Sequence, residues 1–568
     1  MRPDKIKSIV KSDFFIAALI TAVSFILVLL FCDIKYETGD DPIVEGILSG
    51  AFNGEYNPYM LFSNVLLGYV LVFLYSHTAN ISWYFVNLMV MGILSVFTVN
   101  YICIKKNNRV VGALFAVLAT VFLSNDLFIL PTFTKTAAAA IAAGGLLLIE
   151  ALFTTSAKTS SPPKPSASRI ASIVLACILM LSGSLLRFSC VYLVAPFVAL
   201  MFLLKVMPQW KDEKNVRIVL TRAGCCLLIL MGLFSFRFIG IFIRNQSPEY
   251  KSFYRYNEIR AKITDTRKLS WDDYEKEFEA NDLDVLDFLM FESWSFADND
   301  IYPIERLEKV GKIYQSTFEN SAHPVARVID AFLPPYFLMN PVFMSCFILG
   351  LVAVAIDRKS AGRVLLCFLG LFIMLCVFLY IGRYPYRVVY GLSFSLMVSI
   401  LSCVSMRDIP GKGMQKALIL LTAVLVAYQV PTYIKDQSYK DLPYQDLIKH
   451  MENDSEHYYL CDIFSTSQEL PYYYAPWERL PLNYWNDNYS YLGGSSTGYP
   501  EKQECLEDNG IDEQNPYKSL INDNIYVVDN HYIEVKFLYL REHYYPNVKI
   551  ELVDVIDGAN IWKFYLEE

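Results

Sequence analysis

The stretch YMLFSNVLLGYVLVFLYS, residues 59–76, decides how the rest of the chain is threaded. It is apolar and close to the roughly 20 residues a helix needs to cross a bilayer. Eleven further apolar runs accompany it: 14–32, 83–104, 110–124, 131–153, 170–187, 190–207, 218–243, 336–356, 364–381, 388–404 and 417–431. If 59–76 crosses, the loops at 105–109, 154–169, 205–222, 358–363 and 407–416 all face outward. Together they carry 17 Lys and Arg, a gross breach of the rule that basic loops stay in the cytoplasm. If it lies along the outer leaflet, as a flat helix or re-entrant hairpin, all 17 join the basic N-terminus (Arg2, Lys5, Lys7, Lys11) inside. The outer connections then keep Lys35, Lys135, Arg187, Arg383 and Arg387. The second threading is the one expected. It gives about eleven transmembrane helices, with the first run a retained anchor, since no small-residue cleavage site follows it.

The composition agrees. Apolar residues are 54% of the 568, charged residues 19%, and the mean hydropathy is +0.33, whereas soluble domains are about one-quarter charged. That excludes a soluble enzyme, a secreted disulfide scaffold and a basic nucleic-acid binder. Charge is unevenly distributed. Residues 244–335 hold 12 Lys/Arg against 18 Asp/Glu, and residues 432–568 hold 10 against 25. Both acidic pieces fall outside in the chosen threading. The domains expected are therefore a transmembrane body, 1–431, containing the interfacial segment 59–76 and a helical extracytoplasmic loop 244–335, and an extracytoplasmic domain, 432–568. In the latter, YYLCDI, NIYVVDN, VKIELVDVI and IWKFYLEE read as strands, and DLPYQDLIKHMEND and HYIEVKFLYLREHYY as helices, a small α/β domain. Ten of the twelve cysteines lie in or beside apolar runs. Cys461 and Cys505 are the two positioned to pair, and no CxxC or Cys/His metal spacing occurs.

The first outer loop, YETGDDPIVEGILSGAFNGEYNPYMLFSN (36–64), carries the chemistry. Asp40 and Asp41 sit where the first span meets the outer surface. A carboxylate beside hydrocarbon has its pKa raised, and two adjacent ones repel, which suits a general base working near neutral pH. The competing reading is a helix cap, with Asp41 at the N-cap and Pro42 in the first turn. Lys135, Arg187, Arg383 and Arg387 stand at outer ends of spans. Such cations need a partner, and a lipid-linked phosphate at headgroup level is one, although terminal cations also snorkel to water. Arg237 is read as a structural pair. Arg260, Trp294 and Asp298 are read as packing the outer loop over the membrane body, and the tail aromatics Tyr472, Tyr473, Tyr474, Trp477, Tyr484, Trp485, Tyr489 and Tyr491 as core or interface in preference to a sugar platform. No G-x-S-x-G, P-loop or HExxH is present.

A basic start, one span, an outer loop opening on an acidic pair, and then an amphipathic stretch resemble the plan of the GT-C glycosyltransferases, among them the protein O-mannosyltransferases and the aminoarabinose transferases. The segments FTKTAAAAIAAGG, GSLLRF, NEIRAKITD, ESWSFAD and GRYPYR look like those of Gram-positive membrane proteins of this type. The resemblance covers roughly residues 10–430, by plan more than by identity. It implies a GT-C-like fold, a polyprenyl-phosphate-linked sugar as donor, and a glycan, lipid or protein acceptor outside a plasma membrane that the chain crosses many times. It implies Asp40 or Asp41 as the base; Arg187, Arg387, Lys135 and Arg383, read on their own, are then expected on the donor phosphate, and a single displacement is expected to invert the anomeric carbon. No cofactor is demanded, although an acidic pair accommodates a divalent metal. Two alternatives share the architecture: a lipid-linked glycan flippase, whose cavity is polar deep into the cytoplasmic half, and a polysaccharide polymerase.

Overall fold

A computed structural model describes residues 12–567 except 79, 154–165, 208–215, 266–268, 320–340, 357, 382–384, 406–410, 436–443, 467–469 and 471–472. Arg383, Tyr472 and most of the Ser/Pro/Lys loop at 154–169 lie outside the described residues. The membrane body is helical: α1 (Asp13–Phe31), α2 (Asp40–Ser49), α3 (Val65–His77), α4 (Trp83–Lys106), α5 (Arg109–Ser124), α6 (Phe133–Phe153), α7 (Ala167–Leu186), α8 (Ser189–Val206) and α9 (Val216–Arg244) precede the outer loop. Helices α10 (Pro248–Thr264), α11 (Trp271–Glu279), α12 (Val285–Glu292) and α13 (Ile304–Glu319) form that loop, and α14 (Pro341–Ile356), α15 (Ala361–Ile381), α16 (Tyr386–Cys403) and α17 (Lys412–Lys435) complete the body. Among the described residues ten helices are long and apolar enough to cross a membrane. The eleventh expected span is described only over the 16 residues of α14.

Helix α3 is 13 residues long, about 20 Å at 1.5 Å per residue, and too short to span a hydrocarbon core of about 30 Å. Asn64 caps it, accepting from the Leu66 N–H at 3.0 Å, and residues 57–64 before it are not helical. The threading follows from contacts at the two ends of the body. At one end the start of α4 meets the start of α2, with the Tyr84 hydroxyl 2.7 Å from Asp41. The chain from 32 to 82 therefore leaves and re-enters at the same end. At the opposite end Lys106 and Lys205 pair with Glu150 at 2.8 and 3.0 Å, and Lys106 also donates to the carbonyls of Leu401 and Ser402. These basic termini gather at the end that charge bias assigns to the cytoplasm.

Helix α6 is the pivot. Its run of alanines and glycines lets neighbours approach the backbone, and it is buried along nearly its whole length between α4, α7, α8 and α16. At Gly183 of α7 an added Cβ would stand 2.8 Å from the Ala137 carbonyl oxygen. Small residues at such crossings are how helices pack where lipid supplies no hydrophobic drive.

The tail folds as α18 (Gln445–Asn453), β1 (Tyr458–Asp462), β2 (Tyr489–Leu492), α19 (Pro500–Asp508), β3 (Ile525–Val528), α20 (Ile533–His543), β4 (Val548–Ile556) and β5 (Ala559–Leu566). The sheet order is β2-β1-β3-β5-β4; β1, β2 and β3 are parallel, β5 is antiparallel to β3, and β4 to β5. Four strands and two helices fall where the sequence pattern puts them; β2 and α19 are additional. Cys461 and Cys505 are free and buried, not paired. Tyr484, Trp485, Tyr489 and Tyr491 are core residues, and Trp477 is exposed.

The tail docks on backbone carbonyls of the α2 region: Asn483 N–H to Gly50 O (3.1 Å), Trp485 N–H to Ala51 O (2.9 Å) and the Arg479 guanidinium to Ser49 O (2.9 Å). It also locks onto the outer loop. Asp298 is fully buried and accepts from the Tyr539 and Tyr544 hydroxyls at 2.7 and 2.6 Å, and Lys518 pairs with Asp300 at 2.7 Å. Packing is thus the role the structure gives Asp298.

Candidate active site

Consecutive helical residues point about 100° apart, so an acidic pair in the first turn of α2 faces two directions. Asp41 turns inward and is fully buried. Its Oδ1 accepts from the Tyr84 hydroxyl (2.7 Å) and the Phe133 N–H (3.0 Å), and its Oδ2 from the Thr38 hydroxyl (3.1 Å). Burial pushes this carboxyl up to about 7, against the pull of the Tyr84 and Phe133 hydrogen bonds. Asp41 therefore pins α2 to the starts of α4 and α6. The expected cap is absent: Gly39 is the N-cap residue, with no side-chain bond. One turn on, Glu45 is buried on the same face, accepts from Tyr75 at 3.3 Å, and is raised by burial to about 8.

Asp40 turns the other way. It lines a cavity of about 220 Å³ together with Arg187, Arg260, Arg387 and Trp294. Its Oδ1 accepts from the Ser495 hydroxyl at 3.1 Å. The roof over it comes from the tail: Tyr491 near the end of β2, and Ile463, Gly493, Ser495 and Ser496, which follow the carboxyl ends of β1 and β2. Open α/β sheets present their functional loops at that edge. A second cavity, of about 270 Å³, shares Phe62, Arg187 and Asp265 with the first. Its wall includes Arg237, Gly240, Ile241 and Arg244 of α9, a helix exposed along most of its length.

Arginine 187 thus stands at the junction of both cavities, its guanidinium over the rings of Phe62 (5.0 Å) and Phe133 (4.9 Å) and its Nε donating to Ser189 at 3.1 Å. Arg237 lies over Phe188 at 4.4 Å and Arg244 over Tyr254 at 4.2 Å. Stacking on aromatic faces leaves guanidinium edges for oxyanions. Arg260 is nearly buried and held by Asn257 and Thr264, each at 2.8 Å, with Asp265 at 3.8 Å.

Lysine 135 has a different place. It is fully buried and lies 2.9 Å from Asp126 and 3.3 Å from Glu37, over the rings of Tyr386 and Tyr390, and it lines neither cavity. Asp126 also accepts from Tyr386 at 3.1 Å. This is an ion-paired core lysine. Of the residues singled out from sequence, the structure brings together Asp40, Arg187 and Arg387, and adds Arg260 and Trp294, which were read as packing. Ser495 was missed, although Gly-Gly-Ser-Ser directly after the strand-like YSYL was its signal. The two carboxylates of the acidic pair have different surroundings, Asp41 accepting from three donors and Asp40 from Ser495. Among the described residues no group of three or more His, Cys, Asp or Glu is arranged to hold a metal ion.

No family model matches the sequence, and no curated relative does. Three solved structures are similar across nearly the whole chain. ArnT from Cupriavidus metallidurans in the apo state shares 12% identity at a TM-score of 0.42, with 96% of this chain and 97% of that one covered. The same protein bound to undecaprenyl phosphate shares 12% at 0.39, with 97% of each covered. The archaeal oligosaccharyltransferase AglB from Archaeoglobus fulgidus, in complex with an inhibitory peptide and a dolichol-phosphate, shares 14% at 0.39, with 92% of this chain and 69% of that one covered.

Proposed function

We propose that this chain is a membrane glycosyltransferase that moves a sugar from a polyprenyl-phosphate donor to a hydroxyl of an extracytoplasmic acceptor. One observation carries the reading: Asp40 shares a cavity with three arginines and with Asp265, which lies 3.8 Å from Arg260, and one of the arginines, Arg187, opens onto a second cavity walled by the exposed helix α9. The lipid enters along α9. Its phosphate rests at the junction on Arg187, supported by Arg260 and Arg387, and its sugar lies in the cavity with Asp40. Arg237 and Arg244 guide the phosphate inward. The N-terminus and the Lys106–Glu150–Lys205 cluster are cytoplasmic, and the tail and the site lie outside.

The chemistry is a single displacement. Asp40 takes the proton of the acceptor hydroxyl, whose oxygen attacks the anomeric carbon. The bond from that carbon to the phosphate oxygen breaks, the electron pair leaves with the phosphate, and the arginines stabilise the developing charge. Attack opposite the leaving group inverts the anomeric centre. The flippase alternative wants a polar path through the other half of the body. There, Lys106 and Lys205 are closed onto Glu150, an arrangement that favours the transferase.

The test is release of decaprenyl phosphate from decaprenyl-phosphate-linked mannose, glucose, galactose and N-acetylglucosamine by the purified chain in detergent, with water or an added methyl glycoside as the hydroxyl that takes the sugar. Asp40→Asn should lower turnover by about 100-fold or more, the usual worth of a general base. Arg187→Ala should raise the donor KM. Full activity in Asp40→Asn would refute the assignment.

A further inference from the structure

Deepening the transferase reading, on which it rests, we infer that the Gly493–Ser496 loop of the extracytoplasmic domain belongs to the active site: Ser495 is a positioning residue for Asp40, and Lys502 is the clasp that holds the loop in place.

Three features argue for it. Ser495 is buried, and its hydroxyl donates to Asp40 Oδ1 at 3.1 Å, a contact between residues 455 positions apart in sequence. A carboxylate that is to take a proton from one direction gains from a donor fixing its other oxygen, because rotamer freedom at a reacting group costs rate. The loop that presents Ser495 is built so that only glycine fits. Gly493 and Gly494 have φ of +102° and +83°. A Cβ at Gly493 would collide with the Trp294 carbonyl oxygen, and one at Gly494 with the Ile463 side chain. Glycine tolerates both the conformation and the approach. The turn is thereby wedged between the outer loop and the tail, so three separate parts of the chain meet over Asp40.

The third feature is Lys502, on α19. It is nearly fully buried, and its Nζ donates to the Tyr491 carbonyl at 2.6 Å and to the Ser496 hydroxyl at 3.4 Å. Those two partners flank the Leu492–Ser495 stretch, so the amine closes it like a staple. Among the described residues no carboxylate lies within ion-pair distance of it. Burial depresses this amine to about 7. A lysine held at such a cost, with its donors aimed at loop atoms and no counter-charge, is placed for geometry more than for solvation.

The experiment uses the full chain in detergent, with the four decaprenyl-phosphate sugars as donors, decaprenyl phosphate as binding probe, and carbodiimide labelling of Asp40 read by mass spectrometry. Ser495→Ala should lower turnover by about tenfold or more, the worth of one hydrogen bond to a charged group. The Kd of decaprenyl phosphate should stay within about twofold, since a positioning role leaves lipid binding alone. Ser495→Thr, which keeps the hydroxyl, should restore most of the turnover, and Lys502→Met should lose turnover while still binding the lipid. In Asp40→Asn, adding Ser495→Ala should change nothing further, because the two act as a unit. Labelling of Asp40 should rise in Ser495→Ala, a readout that needs no donor. Wild-type turnover and labelling in Ser495→Ala, with Asp40→Asn inactive, overturns the loop assignment and leaves the transferase reading standing. Equal loss in Ser495→Ala and Ser495→Thr, with lipid binding also lost, assigns the loop a structural role and overturns it too. Full turnover in Asp40→Asn overturns the base assignment, and the loop proposal falls with it.

Discussion

At the residue scale, two adjacent aspartates do opposite things, and helix geometry is the reason. Asp40 and Asp41 share one sequence signal, and composition gives no means of telling which of them will be buried. What separates them is the Tyr84 hydroxyl and the Phe133 N–H, 43 and 92 residues away. Lys135 is paired for the same reason: Asp126 reaches it once α5 turns into α6, and Glu37 comes from the segment between α1 and α2. Arg187 and Arg387 stand out in the sequence because charge at the end of a span needs an anion or water whatever the fold. Burial here has a pH signature. Asp41 and Glu45 are raised to about 7 and 8 from ordinary values of 3.8 and 4.5. The folded state therefore holds protons that the unfolded chain gives up. Their contribution to stability is fully present below about pH 4 and is lost as pH rises through 7 to 8. Glu45→Gln should stabilise the protein relative to wild type at pH 8.5 and much less so at pH 5, by on the order of 1 kcal/mol or more. Melting of both proteins in detergent at the two pH values checks it; an equal difference at both would sink the idea.

At the element scale, the charges of loops far from it predict that 59–76 lies flat, because topology couples them, and the helix described there, α3, is 13 residues long. How it is seated was not readable. A Cβ on Gly68 would run into the Pro58 backbone, so α3 lies directly on the 57–62 segment that carries Phe62 to the junction of the two cavities. Gly68→Ala should therefore force this segment away, costing about 1–3 kcal/mol, as overpacking does, and should weaken decaprenyl phosphate binding as well as lower the melting temperature. Unchanged binding would show that α3 does not set the junction. Strand β2 escaped notice because Tyr489–Leu492 lies in a tyrosine-rich stretch that reads as an aromatic cluster. It is fully buried, and buried strands lose the alternation that marks exposed ones.

At the scale of the whole molecule, the site exists only where three parts meet. The membrane body supplies Asp40, Arg187 and Arg387, the outer loop Arg260 and Trp294, and the tail Ser495 and Ser496. Hydropathy and charge suggest a division of the chain into these parts, yet neither reports how the tail is oriented on the body. That depends on contacts such as Trp485, whose ring sits against Gly46 and 4.4 Å from the Phe52 ring. The proposal stands on a lipid phosphate resting at the junction of the two cavities, beside Asp40. A cryo-EM structure of the chain with decaprenyl phosphate is the decisive measurement. Phosphate density is expected within hydrogen-bonding distance of Arg187, with the isoprenoid chain leaving along α9 and Asp40 facing open space next to the phosphate. Lipid phosphate bound elsewhere, with Arg187 and Asp40 in the places they hold without it, would refute the proposal.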